Sequence, residues 1–117
     1  MRLAGAMLFV ADLEAMTAFY RDVVGFRPIE ETRLEDCYEF DTGAMRFALH
    51  QIPKHLGVKP SPSPRETQGC KLILEVENAD AELDRLNAAG ATIIRRPWGG
   101  RDFADPEGNV IGLREQA

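Results

Sequence analysis

The first half of the chain alternates between strand-like and helix-like patterns of apolar residues. Residues 3–10 are almost wholly apolar and predict a strand, after which Asp12 can cap a helix. Apolar residues at helical spacing predict that helix, and Gly25 can end it in a left-handed conformation. These apolar residues are Leu13, Met16, Phe19, Tyr20, Val23 and Val24. Three short strands are expected afterwards, near residues 26–33, 36–41 and 45–52.

The second half repeats this order. Residues 70–77 predict a strand, Asn78 or Asp80 can cap the helix that follows, and Gly90 can end it. The apolar face of that helix comprises Ala79, Leu83, Leu86 and Ala89. Three short strands are expected near residues 91–96, 98–104 and 109–114, with a tight turn at Asp105-Pro106-Glu107-Gly108.

The two halves are related by a nearly constant spacing. Val10 and Val76 hold matching places 66 residues apart, and Gly25 and Gly90 hold matching places 65 apart. The order is therefore βαβββ twice, which indicates an internal duplication. We call residues 1–52 module 1 and residues 70–117 module 2.

Residues 53–69 join the modules and include Lys-Pro-Ser-Pro-Ser-Pro-Arg. Prolines at alternate positions favour an extended path, so this segment is predicted to be a module linker. A long loop of this kind can also cover the mouth of a cleft.

Composition and charge narrow the functional classes. A chain of 117 residues fits one small domain, and no apolar run approaches the roughly 20 residues that cross a bilayer. The N-terminal residues lack a signal-peptide pattern, so a cytoplasmic protein without membrane contact is expected. The net charge of −5 argues against a nucleic-acid partner, which favours a basic face. Cys37 and Cys70 form no C-x-x-C motif and are expected to be partly buried structural thiols.

Three motifs together resemble one superfamily. They are Phe-Tyr-Arg-Asp-Val-Val-Gly-Phe at 19–26, Val-Glu-Asn-Ala-Asp-Ala-Glu-Leu at 76–83 and Asp-Pro-Glu-Gly-Asn at 105–109. In order and spacing they resemble the vicinal oxygen chelate superfamily, the group of glyoxalases, bleomycin-resistance proteins and extradiol dioxygenases. The resemblance implies an α+β fold of two βαβββ modules. Each module would be a curved mixed sheet with a covering helix, forming a half-open barrel around an inner cleft.

The resemblance also implies where metal ligands would stand. Metalloenzymes of this group carry His, Glu or Gln at positions that map onto Gly5, Ala48, Lys71 and Gly112. Glycine and alanine offer no side-chain donor, and lysine is a cation at neutral pH. His50 and His55 are the chain's only histidines, and their spacing matches no helical zinc motif. We therefore expect no metal and no cofactor.

Strand alternation predicts which residues line the cleft. If the four positions above point inward, every second residue on their strands shares the sheet face that the helix does not cover, which we call the inner face. Gly5, Ala48 and Gly112 are expected to leave free volume there. The predicted ligand-binding residues are Met7, Phe9, Arg46, His50, Lys71, Ile73, Glu75, Trp98, Val110 and Gly112.

The polar and aromatic members of this set have alternative interpretations. Lys71 and Glu75 either contact a ligand or form a structural network with each other, Arg46 and Arg114. Trp98 is either a core or dimer-interface residue or a stacking surface for a flat ligand. Arg95 and Arg96 are expected to form a solvated strand end.

Three functional hypotheses follow. The first is a metal-free binding protein that sequesters a small aromatic or drug-like ligand, as the resemblance to bleomycin-resistance proteins implies. The second is a metal-independent enzyme of lyase or isomerase type, with His50 as acid or base and Lys71 or Arg46 stabilising an oxyanion. The third, a metal-dependent glyoxalase or dioxygenase, has the least support. We favour the first, as a homodimer, because open modules leave sheet edges that a second copy can cover.

Overall fold

The computed structural model describes residues 1–61 and 63–116 and divides the chain into two compact units, Met1–Pro60 and Ser61–Ala117. Each unit is a four-stranded mixed sheet with helices, so the fold is α+β with two similar modules. Pro62, the middle proline of the predicted extended path, lies outside the described residues.

Module 1 has its strands in the spatial order β1-β4-β3-β2, with β1 parallel to β4 and the other pairs antiparallel. The strands are β1 Gly5–Val10, β2 Arg27–Ile29, β3 Cys37–Asp41 and β4 Arg46–Gln51. Helix α1 spans Leu13–Ala18 and continues as a π-helical segment over Phe19–Val24. Short 3-10 turns follow at Glu30–Thr32 and Lys54–Leu56.

Module 2 repeats the arrangement with the order β5-β8-β7-β6, in which β5 and β8 are parallel. Its strands are β5 Leu72–Val76, β6 Thr92–Arg95, β7 Arg101–Ala104 and β8 Val110–Glu115. Helix α2 spans Ala79–Ala88. The duplicated βαβββ order predicted from the sequence is therefore confirmed.

The helix ends follow the predicted capping chemistry. The Asp12 carboxylate accepts from the backbone N–H of Ala15, and the Asn78 amide oxygen accepts from that of Ala81. Asn78 is thus the cap of α2, whereas Asp80 forms an ion pair with Arg101 at 2.8 Å. Gly25 has a φ of 93°, and the N–H groups of Gly25 and Phe26 both donate to the Tyr20 carbonyl. These two bonds widen the last turn of the first helix.

Four sequence predictions need correction. The strand expected at 26–33 ends at Ile29, because Arg33 N–H closes a 3-10 turn onto the Glu30 carbonyl and the Tyr38 hydroxyl donates to the Glu30 carboxylate. The strand expected at 98–104 begins only at Arg101, since a turn precedes it. Ala89 is exposed and lies just beyond α2, which ends at Ala88. Cys70 is exposed, although Cys37 is buried as expected.

The Pro-rich segment is attached to module 2 at the turn between β7 and β8. Ser61 N–H donates to the Glu107 carbonyl at 3.2 Å, and Arg65 N–H donates to that of Gly108 at 2.8 Å. Gly108 has a φ of 84°, and a Cβ atom there would lie 2.6 Å from the Ser63 carbonyl oxygen. Glycine at 108 therefore permits both the turn and the close approach of the segment.

In each module the helix covers one face of the sheet, and the apolar core lies between that helix and that sheet. In module 1 this core is aromatic, with Tyr20 and Phe47 ring centroids 4.9 Å apart. The largest fully buried side chains are Tyr20, Phe40, Phe103, Met16, Leu49, Leu83, Ile111 and Val10. The opposite, inner faces of the sheets retain exposed apolar side chains, which is the asymmetry that strand alternation predicts.

The last strand of each module also holds the N-terminus of that module's helix. Gln51 at the end of β4 accepts from Leu13 N–H at 2.9 Å, and Glu115 at the end of β8 accepts from Ala79 N–H at 3.0 Å. The Gln51 amide additionally donates to the carbonyls of Ala11 at 2.7 Å and Ile52 at 2.8 Å. A carboxylate could accept in both modules, but only an amide can also donate.

We expect Gln51→Glu to lower the free energy of unfolding by about 2 kcal/mol, because it removes the donors and leaves carbonyls facing a carboxylate. The matched variant Glu115→Gln should change stability by less than about 0.5 kcal/mol, since its amide oxygen still accepts from Ala79. Urea unfolding at neutral pH measures both. Equal stability losses in the two variants would contradict this role for Gln51.

Candidate functional site

The inner face of module 1 holds four of the predicted ligand-binding residues, Met7, Phe9, Arg46 and His50. The β1–β4 register pairs Met7 with Ala48 and Phe9 with His50. Met7 is 52% exposed and Phe9 60% exposed, whereas Ala48 is buried. The face therefore presents a small apolar surface beside a partly exposed imidazole.

His50 is held on this face by contacts at both ring nitrogens. Its Nδ1 lies 3.1 Å from the Gln51 carbonyl oxygen, and its Nε2 lies 3.7 Å from an Asp36 carboxylate oxygen. The Phe9 ring packs against the imidazole at a centroid distance of 5.7 Å. Arg46, on the same strand face, forms an ion pair with Glu39 at 2.8 Å. The Arg46 guanidinium is thus paired with a carboxylate of its own sheet.

Cys37 pairs in register with His50 but lacks the character of a nucleophile. Burial raises the pKa of the Cys37 thiol, and the carboxylates of Glu39 and Asp36 raise it further. The thiol is therefore protonated at neutral pH, which does not support cysteine-based covalent chemistry.

The inner face of module 2 holds the remaining predicted residues. Ile73 and Glu75 share one side of β5, Lys71 directly precedes the strand, and Ile73 is 53% exposed. Glu75 faces Arg114 across the register at 3.6 Å, so these two charges neutralise each other. Val110 lies on this face but is only 4% exposed. The exposed apolar surface of this sheet is therefore provided by Ile73 and by Trp98.

The central polar group of this face is Asp102, which the sequence analysis did not single out. The Asp102 side chain is 5% exposed and binds Lys71 Nζ at 2.9 Å and Arg96 Nε at 2.9 Å. Two cations thus neutralise one buried carboxylate, as burial of a charge requires. Arg96 is therefore not the solvated strand end that was expected, and Lys71 pairs with Asp102 rather than with Glu75. Counting alternate positions back along β7 from Ala104 would have placed Asp102 on this face.

Gly112 makes the Lys71–Asp102 contact possible. The sheet order puts β8 between β5 and β7, and Gly112 is the register partner of Asp102. Lys71 must reach across β8, a span of about 10 Å between its neighbours. A Cβ atom at Gly112 would lie 3.1 Å from Lys71 Cε, from Asp102 Oδ1 and from Ile73 Cδ1. The free volume expected at Gly112 is thus filled by the side chains of Lys71, Asp102 and Ile73.

Gly5 likewise offers no free volume. A Cβ atom there would lie 2.6 Å from the Arg46 carbonyl oxygen, because β1 and β4 run side by side at this point. Glycine at position 5 serves the close approach of two backbones.

Trp98 lies at the tip of the β6–β7 hairpin. Arg96 N–H donates to the Gly100 carbonyl at 3.3 Å, and Gly99 N–H donates to the Arg96 carbonyl at 3.0 Å. A Cβ atom at Gly100 would lie 2.9 Å from the indole Nε1, so glycine at 100 lets the indole fold back over the turn. The Arg96 guanidinium carbon lies 5.7 Å from the indole centroid, and Trp98 is 77% exposed. The indole thus lies against the Arg96 guanidinium, and Trp98 is not a core residue.

These residues do not fit a metal ion. Of the four positions that the resemblance assigns to ligands, Gly5, Ala48 and Gly112 have no donor, and the Lys71 ammonium would face the ion. Within residues 1–61 and 63–116, no group of three or more His, Cys, Asp or Glu side chains is placed to hold a metal. In that same part of the chain, no helix combines the length and apolar character needed to span a membrane.

Comparisons with known proteins agree with this architecture. The family model described as Glyoxalase/Bleomycin resistance protein/Dioxygenase superfamily matches residues 2–113. Among curated proteins no match is found. A solved enzyme of the glyoxalase/bleomycin resistance protein/dioxygenase family from Burkholderia phytofirmans PsJN is 25% identical, with 96% of each chain covered and a TM-score of 0.73.

Two further solved structures share the fold at lower identity. TnmS3, an antibiotic binding protein from Streptomyces sp. CB03234, is 23% identical, with 100% of this chain and 97% of that chain covered and a TM-score of 0.69. The fosfomycin resistance protein FosX from Mesorhizobium loti is 18% identical, with 99% and 92% covered and a TM-score of 0.70. Because the duplicated fold and the family match extend over almost the whole sequence, the chain belongs to the Glyoxalase/Bleomycin resistance protein/Dioxygenase superfamily.

Proposed function

We propose that this protein binds a small aromatic or drug-like molecule on the inner faces of its sheets without a metal ion. The observation that carries the proposal is the Lys71–Asp102 ion pair. Lys71 stands where the family resemblance expects a metal ligand, and its ammonium is bound to a carboxylate across Gly112. An ammonium–carboxylate pair at this position supports binding without a metal ion.

Exposed apolar side chains on each module's inner face also support ligand binding. Met7, Phe9, Ile73 and Trp98 are all more than half exposed, and each lies on an inner face or against the Asp102 cluster. Exposed apolar side chains beside a few placed polar groups are typical of ligand sites. The fold itself permits this use, because TnmS3, which shares it, is an antibiotic binding protein.

A metal-independent enzyme is the alternative function, and the geometry of His50 supports it. The imidazole is about one-third exposed, and its two nitrogens face a carbonyl and a carboxylate. Such an arrangement orients a ring for proton transfer. Arg46, the oxyanion stabiliser of that hypothesis, is engaged by Glu39, which weakens the alternative.

We also propose that the protein is a cytoplasmic homodimer. Each four-stranded sheet ends in edge strands, β1 and β2 in module 1 and β5 and β6 in module 2. Unpaired edges and exposed apolar faces are surfaces that a symmetric partner can cover. Two free thiols, Cys37 and Cys70, suit a reducing compartment.

Purified untagged protein is expected to hold no stoichiometric transition metal after chelation and dialysis, because the ligand positions lack donors. Elemental analysis for zinc, nickel, iron and manganese measures this. Added zinc or nickel should leave the melting temperature unchanged, since only an ion that binds the folded state stabilises it. One equivalent of retained metal per chain would refute the metal-free assignment.

A thermal-shift screen of aromatic antibiotics, flat heterocycles and small carboxylates should yield ligands. At about 100 times its dissociation constant, a ligand adds about 2.7 kcal/mol to stability by mass action, which raises the melting temperature by on the order of 10 °C. Phe9→Ala or Ile73→Ala should weaken hits about tenfold, because burial of a large apolar side chain is lost.

Leu34→Ala is the matched control for that screen, since Leu34 is as exposed as Phe9 but lies outside the inner faces. If every hit binds all three variants and the wild type equally, the inner faces are not the site. If a hit is converted to product and His50→Ala abolishes conversion while sparing binding, the enzyme hypothesis replaces ours.

Light scattering at micromolar concentration should give twice the chain mass of 13.0 kDa, because two copies can cover each other's exposed sheet edges and apolar surface. Dilution should shift the mass only at concentrations far below this range. A mass of one chain throughout would overturn the dimer.

A further inference from the structure

The cluster of Lys71, Arg96 and Asp102 carries one excess positive charge. Lys71 and Arg96 each contribute a cation and Asp102 a single anion, and the neighbouring Glu75–Arg114 pair on the same face is balanced. The excess charge stands out because the chain as a whole has a net charge of −5. A cationic group within an acidic protein marks a place where an anion is favoured locally.

Both cations keep donors that Asp102 does not use. Arg96 binds the carboxylate through Nε, and its terminal amino groups have no hydrogen-bond partner among the residues that the structure describes. Lys71 Nζ contacts both Asp102 oxygens, at 2.9 and 3.0 Å, and an ammonium has three N–H donors. The side chain of Lys71 is 40% exposed and that of Arg96 31% exposed, so these donors are within reach of solvent.

The two cations are also close enough to share one ligand. Lys71 Nζ and Arg96 Nε both contact Asp102 Oδ2, so they lie within about 6 Å of each other. Two donors at such a separation can hold one carboxylate, with charge-assisted bonds to each. Asp102 fixes both of them in place beforehand, which reduces the entropy that binding would cost.

An aromatic surface adjoins these donors. The Trp98 indole lies against the Arg96 guanidinium, 5.7 Å from centroid to guanidinium carbon, and is 77% exposed. An exposed indole offers a flat face on which an aromatic ring can stack. Ile73, at the other end of the cluster, adds exposed apolar surface.

We propose that Lys71, Arg96 and Trp98 form a binding site for a planar aromatic carboxylate. The carboxylate would accept from Lys71 Nζ and the Arg96 amino groups, and the ring would stack on the indole. This assignment of a ligand class rests on the proposed small-molecule function and narrows it. It also gives Arg96 and Asp102 roles, as a ligand-binding and a positioning residue.

Three probes that share a naphthalene ring test the charge requirement: 2-naphthoate, its planar neutral analogue 2-naphthamide, and 2-naphthylmethylammonium. Isothermal titration calorimetry should show the carboxylate binding at least tenfold more tightly than the amide, and the ammonium binding more weakly still. The chain contains one tryptophan, so a single indole N–H signal in an NMR spectrum should shift as naphthoate is added.

Variants distinguish binding at the cluster of Lys71, Arg96 and Asp102 from nonspecific electrostatic attraction. Arg96→Gln or Lys71→Gln should abolish the tenfold preference for naphthoate, and Trp98→Leu should weaken naphthoate and naphthamide alike. Arg95→Gln removes the same charge one residue away, on the opposite side of β6, and should leave the preference unchanged.

If a variant of the cluster fails to fold, the salt dependence of binding to the wild-type protein still tests the proposed site. Naphthoate affinity should fall with rising salt, whereas naphthamide affinity should stay constant. Equal affinity for the three probes, no binding of any of them, or an effect of Arg95→Gln equal to that of Arg96→Gln would overturn the aromatic carboxylate site. Hits in the broad thermal-shift screen would in that case leave the proposed binding function standing, while an empty screen would remove both.

Discussion

A single buried carboxylate organises the inner face of module 2. Asp102 is almost wholly removed from water, and an unpaired carboxylate in that position would cost on the order of 3–5 kcal/mol. Its two partners come from separate parts of the sheet, Lys71 before β5 and Arg96 after β6. Because both cations must reach Asp102, this one charge constrains where β5 begins, where β6 ends and how the β6–β7 hairpin is oriented.

Glycine is the residue that lets this arrangement form. Gly112 leaves β8 bare where the Lys71 side chain crosses it, and Gly100 leaves room for the indole of Trp98 to fold back towards Arg96. In both places a neighbouring side chain occupies the volume next to the glycine that a Cβ atom would otherwise take. The inner face is shaped by close approaches of side chain to backbone, which apolar and polar patterns alone do not encode.

The sequence predicts those features that depend on near neighbours. The caps at Asp12 and Asn78, the left-handed glycines at 25 and 90 and the alternation on β1 and β5 follow from local chemistry, and all are present. From the duplicated order of these elements, the fold could be predicted as well. Alternation also placed Met7 and Phe9 together on one face, because a strand has a fixed period of two.

The partners within the candidate site depend on distant register and were not predicted. Asp102 stands between Arg101 and Phe103, a context typical of an ordinary amphipathic strand, and its burial follows only from pairing with β8. The contact of Arg96 with Asp102 does not follow from the sequence pattern, because the hairpin between β6 and β7 takes up residues that the pattern assigns to strands. Hairpin length and cross-strand contacts are set by tertiary packing, so a linear pattern leaves them open.

The tight fit at Gly5 has a consequence for how this chain can evolve. Any side chain at position 5 would meet the Arg46 carbonyl oxygen at 2.6 Å, and backbone atoms cannot move aside without separating β1 from β4. A histidine or glutamate introduced there by a single mutation would damage the sheet before it could help to bind an ion. Position 5 therefore cannot gain a metal-ligating side chain by a single substitution unless the spacing between β1 and β4 also changes.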